Sequence, residues 1–237
     1  MDKSVFKRQF SFHSNHWWFE SRRIIFKYLL EDLDFNKKKI KILDYGTGVG
    51  NNIRLLKNFS NNISIFDKNK KMLNFLAKKE KIFIYSKRRK YDLIFLTDVL
   101  EHIKEDKKIF NRLLQNLNNN GFIFITVPAY QFLFSSKDKV LKHFRRYNLK
   151  QLQKVCSNKK VFVKKISYFN FFLFIPLSIL ILFFKITNKV FIDNAEKVPN
   201  FLVNYLMKKI FSFERFFLKK ISFPFGLSLL LILKKIN

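Results

Sequence analysis

Apolar segments alternate with amphipathic segments along residues 16–169. Short apolar runs predict six strands at 40–45, 63–67, 81–86, 91–98, 121–128 and 161–169. Helical spacing of apolar positions predicts helices at 16–33, 51–59, 68–80, 105–120 and 148–157. Strands that alternate with helices form βαβ units, so the pattern predicts a doubly wound α/β fold around a mostly parallel sheet. Ligands of such sheets bind at the carboxyl ends of the strands.

The pattern changes after residue 166. Residues 166–184 carry no charged side chain, a polar stretch follows around Asp193–Pro199, and residues 201–220 are amphipathic. A bilayer crossing takes about 20 apolar residues, but Pro176 in the middle of the first run predicts a kink. The second segment is too charged to cross back. We therefore expect helices that dip into the membrane or lie on its inner face. The alternative is a helix pair that packs on the domain or forms a dimer.

Composition narrows the class of protein and of its partners. The chain has 237 residues, of which 48% are hydrophobic, so it can bury a substantial core. Its 47 Lys and Arg against 17 Asp and Glu give a net charge of +30, which favours nucleic acid, anionic lipid or phosphorylated substrates. One cysteine, Cys156, excludes an intramolecular disulfide, and the N-terminus lacks the apolar core of a secretion signal. We expect a cytoplasmic protein, and four scattered histidines predict no metal site.

The sharpest chemical signal follows the first strand, where residues 42–50 read ILDYGTGVG. Asp44 is followed at alternate positions by Gly46, Gly48 and Gly50. Residues without a β-carbon allow a tight bend and the close approach of a ligand. The spacing differs from a dinucleotide loop and from a Walker loop. Asp67 ends the second strand about 20 residues on, a distance at which an acid can bind ribose hydroxyls.

On these residues the chain resembles the class I S-adenosylmethionine-dependent methyltransferases. The resemblance rests on ILDYGTGVG, ISIFD, YDLIFLTDVLEHI and GFIFITVPAY. The chain is similar to bacterial members of this family that have an HWWF…RR start, an H-x-RRY stretch and a closing PFG strand. These motifs lie here at His16–Arg23, His143–Tyr147 and 224–234. The resemblance implies a seven-stranded sheet whose last strand is antiparallel and inserted beside the sixth. It divides the chain into an N-terminal cap helix (1–35), a cofactor-binding core (36–166), a hydrophobic helical insertion (167–222) and the final strand (223–237).

The resemblance also implies S-adenosyl-L-methionine as the cofactor and gives roles to the loop. The glycines would wrap its methionine part, the acid at Asp44 would lie near its amino group, and Asp67 would hold its ribose. The implied cofactor-binding residues are Asp44, Gly46, Thr47, Gly48, Gly50, Asp67, Thr97 and Asp98. Many relatives bind the adenine amino group with an acid after the third strand, but this chain has Ser86 there, so backbone groups would have to replace it.

Candidates for catalysis and substrate binding surround that loop. A base is needed only if the acceptor arrives protonated, and His143 and Tyr147 are the candidates. His102 is a weaker one, because Glu101-His102 is better explained as a helix cap. The expected substrate-binding residues are Trp17, Trp18, Arg145 and Arg146. The arginines could clamp an anion or lie in a solvated surface, and the tryptophans could form a lid or pack in the core.

Together these features predict a methyltransferase that acts on a small-molecule or lipid-linked acceptor at the cytoplasmic face of the membrane, attached peripherally or by a re-entrant helix. An anionic membrane surface is the expected partner, and no obligate protein partner is evident. A nucleic-acid methyltransferase ranks a distant second, because Thr97–Leu100 lacks the Asp/Asn-Pro-Pro-aromatic motif of base amino-methylating enzymes. A non-catalytic membrane-binding module ranks third, because the glycine loop and Asp67 are intact.

Overall fold

The strands form one seven-stranded sheet in the order β3-β2-β1-β4-β5-β7-β6. The computed structural model describes residues 10–35, 40–187 and 198–236, and most of the polar stretch predicted at Asp193–Pro199 lies outside them. The first five strands pair in parallel, and β7 runs antiparallel between β5 and β6. This confirms the predicted fold and the place of the last strand. The strands are β1 Ile42–Tyr45, β2 Ile63–Phe66, β3 Phe83–Ile84, β4 Tyr91–Thr97, β5 Leu117–Pro128, β6 Val161–Phe169 and β7 Ser228–Lys235.

Between residues 17 and 218, the described residues form nine α-helices and two 3-10 turns. The helices are α1 Trp17–Leu30, α2 Ile53–Leu56, α3 Lys70–Glu80, α4 Asp106–Gln115, α5 Ser136–Val140, α6 Leu149–Val155, α7 Phe174–Ile186, α8 Phe201–Phe213 and α9 Arg215–Leu218. The 3-10 turns are Leu100–His102 and Gln131–Leu133. Residues 10–15 are helical as well.

The core lies between the sheet and its helices. Six of the seven residues of β4 are buried, as expected for a strand covered on both faces. Phe26 of α1 packs against Phe95 of β4 and Phe124 of β5, with ring centroids 5.8 and 5.1 Å away. This packing fixes α1 across the middle of the sheet, and therefore near the carboxyl ends of β4 and β5.

Three local predictions need correction. β3 has only two residues, both exposed, because it is the outermost strand and packs on one neighbour alone. Residues 117–120, predicted as the end of the helix at 105–120, belong instead to β5, which starts at Leu117. Pro176 does not kink α7, because the helix begins at Phe174 and the proline lies in its first turn, where a backbone N–H has no intrahelical acceptor.

The insertion before β7 packs partly on the domain. On one side of α8, the Trp17 N–H donates to Asn204 Oδ1 at 2.8 Å, and Ser21 Oγ donates to the Lys208 carbonyl at 3.1 Å. α7 lies beside the 131–133 turn, where Lys185 Nζ donates to the Phe132 carbonyl at 2.9 Å. Within the described ranges, no helix combines the length and the apolar character that a bilayer crossing requires.

Candidate functional site

The glycine loop crosses the carboxyl ends of β1 and β2. The Gly46 N–H donates to the carbonyl of Phe66, the last residue of β2, at 2.7 Å. All three glycines have positive φ, at 86° for Gly46, 55° for Gly48 and 87° for Gly50. A β-carbon on Gly46 would lie 2.5 Å from a methyl of Val99, whereas one on Gly48 would meet nothing within 4 Å. The loop is therefore packed tightly at Gly46 and leaves open space at Gly48, where a ligand can approach the backbone.

Two carboxylates flank this loop. Thr47 Oγ1 donates to Asp44 Oδ2 at 2.7 Å, and the Gly48 N–H donates to Asp67 Oδ2 at 2.9 Å. Burial raises the pKa of Asp44 to about 7, the Thr47 hydrogen bond opposes the rise, and the charge of Asp67 adds to it. A cationic ligand group beside Asp44 would favour its ionised form. The structure thus brings these predicted residues together at one edge of the sheet.

Arg22 joins α1 to the ends of β4 and β5. Its guanidinium donates to both carboxylate oxygens of Asp98, and Nη2 also donates to Thr126 Oγ1 at 2.7 Å. Asp98 has a φ of 57°, a conformation that costs a residue with a side chain about 1–2 kcal/mol. The two-pronged ion pair holds it there. Thr97 lies beside it and accepts a hydrogen bond from Asn52 Nδ2 at 2.9 Å.

The segment before α1 lies against the glycine loop. The His13 ring stacks on Phe19 with centroids 4.0 Å apart, and its Nδ1 contacts the side-chain amide of Asn51. Burial, and then the charge of Arg23, lower the pKa of His13 to about 4. The ring is therefore neutral near pH 7 and can accept a hydrogen bond from Asn51. No local sequence signal indicates this contact, because His13 belongs to no motif.

The two tryptophans differ in environment. Trp17 is buried and packs edge-on against Phe211 of α8, with centroids 6.1 Å apart. Trp17 therefore packs in the core, which is one of the two alternatives for the tryptophans, in place of the predicted contact with substrate. Trp18 is half-buried, and its ring lies 5.6 Å from the Arg22 guanidinium. Trp18 is the tryptophan that remains next to the Arg22–Asp98 pair.

The two predicted catalytic residues also separate. His143 Nδ1 lies 2.8 Å from Asp138 Oδ1, so a donated Nδ1–H leaves Nε2 free to accept a proton or bind a cation. Tyr147 is buried, and its hydroxyl donates to Asp106 Oδ2 at 2.8 Å. Burial and the neighbouring Asp106 raise the pKa of Tyr147 above its ordinary value. This geometry gives Tyr147 a structural role in place of the predicted catalytic one.

The predicted anion clamp binds internal carboxylates instead. Arg145 Nη1 donates to Asp106 Oδ2 at 2.9 Å, and Arg146 donates through Nε and Nη2 to the two oxygens of Asp138 at 3.0 and 2.9 Å. Burial alone would raise the pKa of Asp138, but hydrogen bonds from His143 and Arg146 more than offset it and hold the pKa below its ordinary value. Both arginines therefore organise the segment that carries His143.

Glu101 and His102 lie in the 3-10 turn after β4, and they do not cap a helix. The next helix, α4, begins at Asp106, and its N-cap residue is Glu105. Glu101 is fully buried, yet neither of its carboxylate oxygens reaches a hydrogen-bond donor on another residue of the described chain. Burial, and then the charge of Asp98, raise the pKa of Glu101 well above its ordinary value. The His102 and His143 rings meet edge to face beside it, with centroids 4.5 Å apart.

Solved structures share this fold at low sequence identity. A SAM-dependent methyltransferase from Archaeoglobus fulgidus aligns with a TM-score of 0.51 and 16% identity, covering 90% of this chain and 94% of that chain. An S-adenosylmethionine-dependent methyltransferase from Mesorhizobium loti gives 0.55 and 10%, covering 87% and 96%. Phosphoethanolamine N-methyltransferase 2 from Haemonchus contortus, in complex with S-adenosyl-L-methionine, gives 0.53 and 16%, covering 88% of this chain and 51% of that chain. No curated protein matches the sequence significantly.

The family is defined by the sequence itself. The profile of a family described as "Methyltransferase domain" matches residues 15–166, which is more than half of the chain and includes the glycine loop, Asp98 and His143. The chain therefore belongs to this methyltransferase family. It is an enzyme of the class I type, and its methyl donor is S-adenosylmethionine.

Proposed function

We propose that this methyltransferase acts on a small or lipid-linked acceptor that it meets at the cytoplasmic face of the membrane. The observation that carries the proposal is an unusually apolar exposed surface on α7 and α8, named here the insertion surface. Its most exposed members are Ile175, Ile179, Phe183, Ile186, Phe201 and Leu202, which expose between 55% and 85% of their surface. Large apolar patches on a protein surface mark interaction sites far more often than free surface.

The residues at the glycine loop fit the methyl donor. Open space at Gly48 admits a ligand against the backbone. Asp67 keeps lone pairs for hydroxyl donors beside the N–H groups of Gly48 and Asn69 that it already accepts. A cationic amino group beside the buried Asp44 would favour its ionised form and lower its raised pKa. When bound, S-adenosylmethionine supplies an electrophilic methyl group on a sulfonium, whose C–S bond breaks as an acceptor lone pair bonds to the carbon.

The chain's own task is to hold the acceptor in line with that methyl group, and this positioning can lower the activation barrier by several kcal/mol. Arg22 fixes Asp98 and Thr126 at the edge of the site, so the ends of β4 and β5 form a rigid wall. A hydroxyl acceptor must also lose a proton. Of the two predicted catalytic residues, His143 is the one whose second ring nitrogen is left for this purpose.

The insertion surface is connected to this wall through α1. α8 packs along α1, and α1 carries Arg22. Only α1 would therefore separate an acceptor in the membrane interface from the ends of β4 and β5, which form the methyl-transfer edge. Basic side chains on α8 and after it include Lys208, Lys209, Arg215, Lys219 and Lys220. Such residues can contact anionic headgroups while apolar neighbours enter the acyl region.

Vesicle co-sedimentation tests the membrane part of the proposal. We expect the purified chain to pellet with vesicles of anionic phosphatidylglycerol and phosphatidylcholine, and less so as salt is raised, because the attraction of exposed charges is screened. Ile179→Glu with Phe183→Glu should weaken binding at least about tenfold, because each buries a charge in the interface. Phe162→Glu is the matched control, since Phe162 is an exposed apolar residue of β6 outside the insertion surface. Equal binding by both variants would contradict the proposal.

A further inference from the structure

A cluster of three potential metal ligands lies beside the methyl-transfer edge. Glu101, His102 and His143 each offer one ligand atom, and these atoms all lie within 4.8 Å of one another. The cluster joins two parts of the chain, the 3-10 turn after β4 and the segment after α5. The Phe144 N–H donates to the Glu101 carbonyl at 2.7 Å, so the backbone holds these parts together.

Glu101 is the member that most needs a partner. Its side chain is fully buried, and no donor on another described residue reaches either carboxylate oxygen. A buried carboxyl group either stays protonated or pairs with a cation or a metal, because its ionised form forfeits hydration. The nearby Arg22 donates to Asp98 and Thr126, and none of its hydrogen bonds reaches Glu101. A cation between Glu101 and the two histidines would supply the missing partner.

The imidazole of His143 is held in the way that metal-binding imidazoles are held. His143 is fixed through Nδ1 by the Asp138 carboxylate, which Arg146 holds in turn from two sides. The ring of His102 lies near the backbone of Lys142. A histidine that binds a metal through one nitrogen nearly always gives its other N–H to a carboxylate or a carbonyl. His143 meets this condition through Asp138.

We propose that Glu101, His102 and His143 bind one divalent transition-metal cation of the zinc class. Two imidazole nitrogens and one carboxylate form a three-residue set that leaves a coordination position open. Ligand atoms of tetrahedral zinc lie about 3.4 Å apart, so side-chain rotations that move the ligand atoms by about 1 Å would close the cluster on the ion. This replaces the expectation from the sequence that the chain has no metal site.

The open position defines a role that rests on the proposed function. A hydroxyl oxygen of the acceptor would bind the cation there and lose its proton more readily, because the cation stabilises the alkoxide. The proton leaves to solvent, the oxygen lone pair bonds to the methyl carbon, and the C–S bond electrons stay on sulfur. His143 then acts as a ligand, and the acceptor class narrows to hydroxyl compounds.

Direct metal binding tests the site without any acceptor. Tag-free protein would be stripped with a chelator, and Zn²⁺ affinity and stoichiometry measured by competition with a chromophoric chelator, with Co²⁺ absorption as a second probe. We expect one ion per chain. Glu101→Gln and His143→Gln should each weaken binding by more than 100-fold, and Asp138→Asn by about 10–100-fold, because it only orients His143. His16→Gln is the control, since His16 caps α1 and is not a member of the cluster, and it should bind like the parent.

S-adenosylmethionine binding by each variant shows that it is folded. Failure to bind Zn²⁺ or Co²⁺, or equal affinity in the parent and the folded Glu101→Gln variant, would overturn the site. Zinc binding that leaves transfer to hydroxyl acceptors unchanged would leave the metal site standing and refute its catalytic role. If the parent binds zinc but transfers no methyl group, the result would instead count against the proposed function.

Discussion

At the scale of single residues, two glycines of the same loop play different parts. Gly46 is packed against Val99, whereas Gly48 faces open space at a φ that asparagine also tolerates. Gly46→Ala should therefore lower the free energy of unfolding by about 2–4 kcal/mol. Gly48→Asn should cost about 1 kcal/mol or less, yet weaken S-adenosylmethionine binding, because its side chain fills the ligand's space. Urea unfolding and calorimetric titration measure the two effects, and an equal loss of stability in both variants would refute this division.

A second prediction concerns the ion pair of Arg22 and Asp98. Asp98→Asn leaves a buried guanidinium without its carboxylate and should cost about 3 kcal/mol of stability. Arg22→Met should cost less, because the Asp98 side chain is 36% exposed and regains water. The double variant should then show a coupling of about 1–3 kcal/mol in a double-mutant cycle. Strictly additive losses would show that the pair contributes no mutual stabilisation.

The residue scale also shows what the sequence could and could not predict. The glycine loop, Asp44 and Asp67 were predictable, because their signal lies within a short stretch at the end of each strand. Arg22 was not, because its partner Asp98 lies 76 positions away. The same holds for Glu101 and His143, which meet only after folding. Arg145 and Arg146 have the composition of an anion site, and only the fold shows that Asp106 and Asp138 already fill it.

At the scale of elements, the contact between α8 and α1 ties the insertion to the catalytic core. Phe211 is fully buried there, against Trp17, Trp18 and Phe169. Phe211→Ala should lower stability by about 3–5 kcal/mol, through lost burial and the cavity left behind. Phe213→Ala, at an exposed position of the same helix, is the control and should cost under 1 kcal/mol. Thermal and urea unfolding compare the two, and similar losses would show that α8 is not part of the core.

The junction of β6 and α8 should make stability depend on pH. Glu214 is buried and accepts the N–H groups of Asn170 at 2.7 Å and Phe172 at 3.1 Å, and burial raises its pKa to about 7 from an ordinary 4.5. The folded chain then holds this proton more tightly than the unfolded chain does. Its stabilising contribution is complete below pH 4.5 and is lost as the pH rises towards 7, by about 3 kcal/mol.

Glu214→Gln removes this titration. Unfolding free energies at pH 5 and pH 7.5 should therefore fall further with rising pH in the parent than in the variant. The same difference in both proteins would mean that Glu214 ionises normally in the fold.

Elements were predictable where the local pattern agreed with the tertiary environment. β4 reads as a buried strand because both of its faces are covered, and the alternation of strands and helices indicated the sheet. β3 is shorter than its apolar run, because an outermost strand has one neighbour to pair with. The antiparallel place of β7 came only from the resemblance to a family, since strand order depends on contacts between distant segments. The packing of α8 on α1 depends on such contacts as well.

At the scale of the whole molecule, two surfaces with different chemistry lie on either side of α1. One is the edge of the sheet with the glycine loop, Asp98 and the Glu101, His102 and His143 cluster. The other is the insertion surface, apolar and flanked by lysines. Under the proposed function, the membrane interface presents the acceptor and the sheet edge presents the methyl donor. A net charge of +30 adds a general attraction to anionic headgroups.

The most direct test of this connection is transfer of a labelled methyl group. Purified protein would be incubated with methyl-labelled S-adenosylmethionine and a total cell extract that includes membranes, which is then split into organic, aqueous and nucleic-acid fractions. The Gly48→Trp variant, which blocks the ligand space of the loop, is the blank. We predict label in the organic fraction with the parent and none with the variant. Label confined to the aqueous fraction would contradict a lipid-linked acceptor, and label confined to the nucleic-acid fraction would contradict the proposed function as a whole.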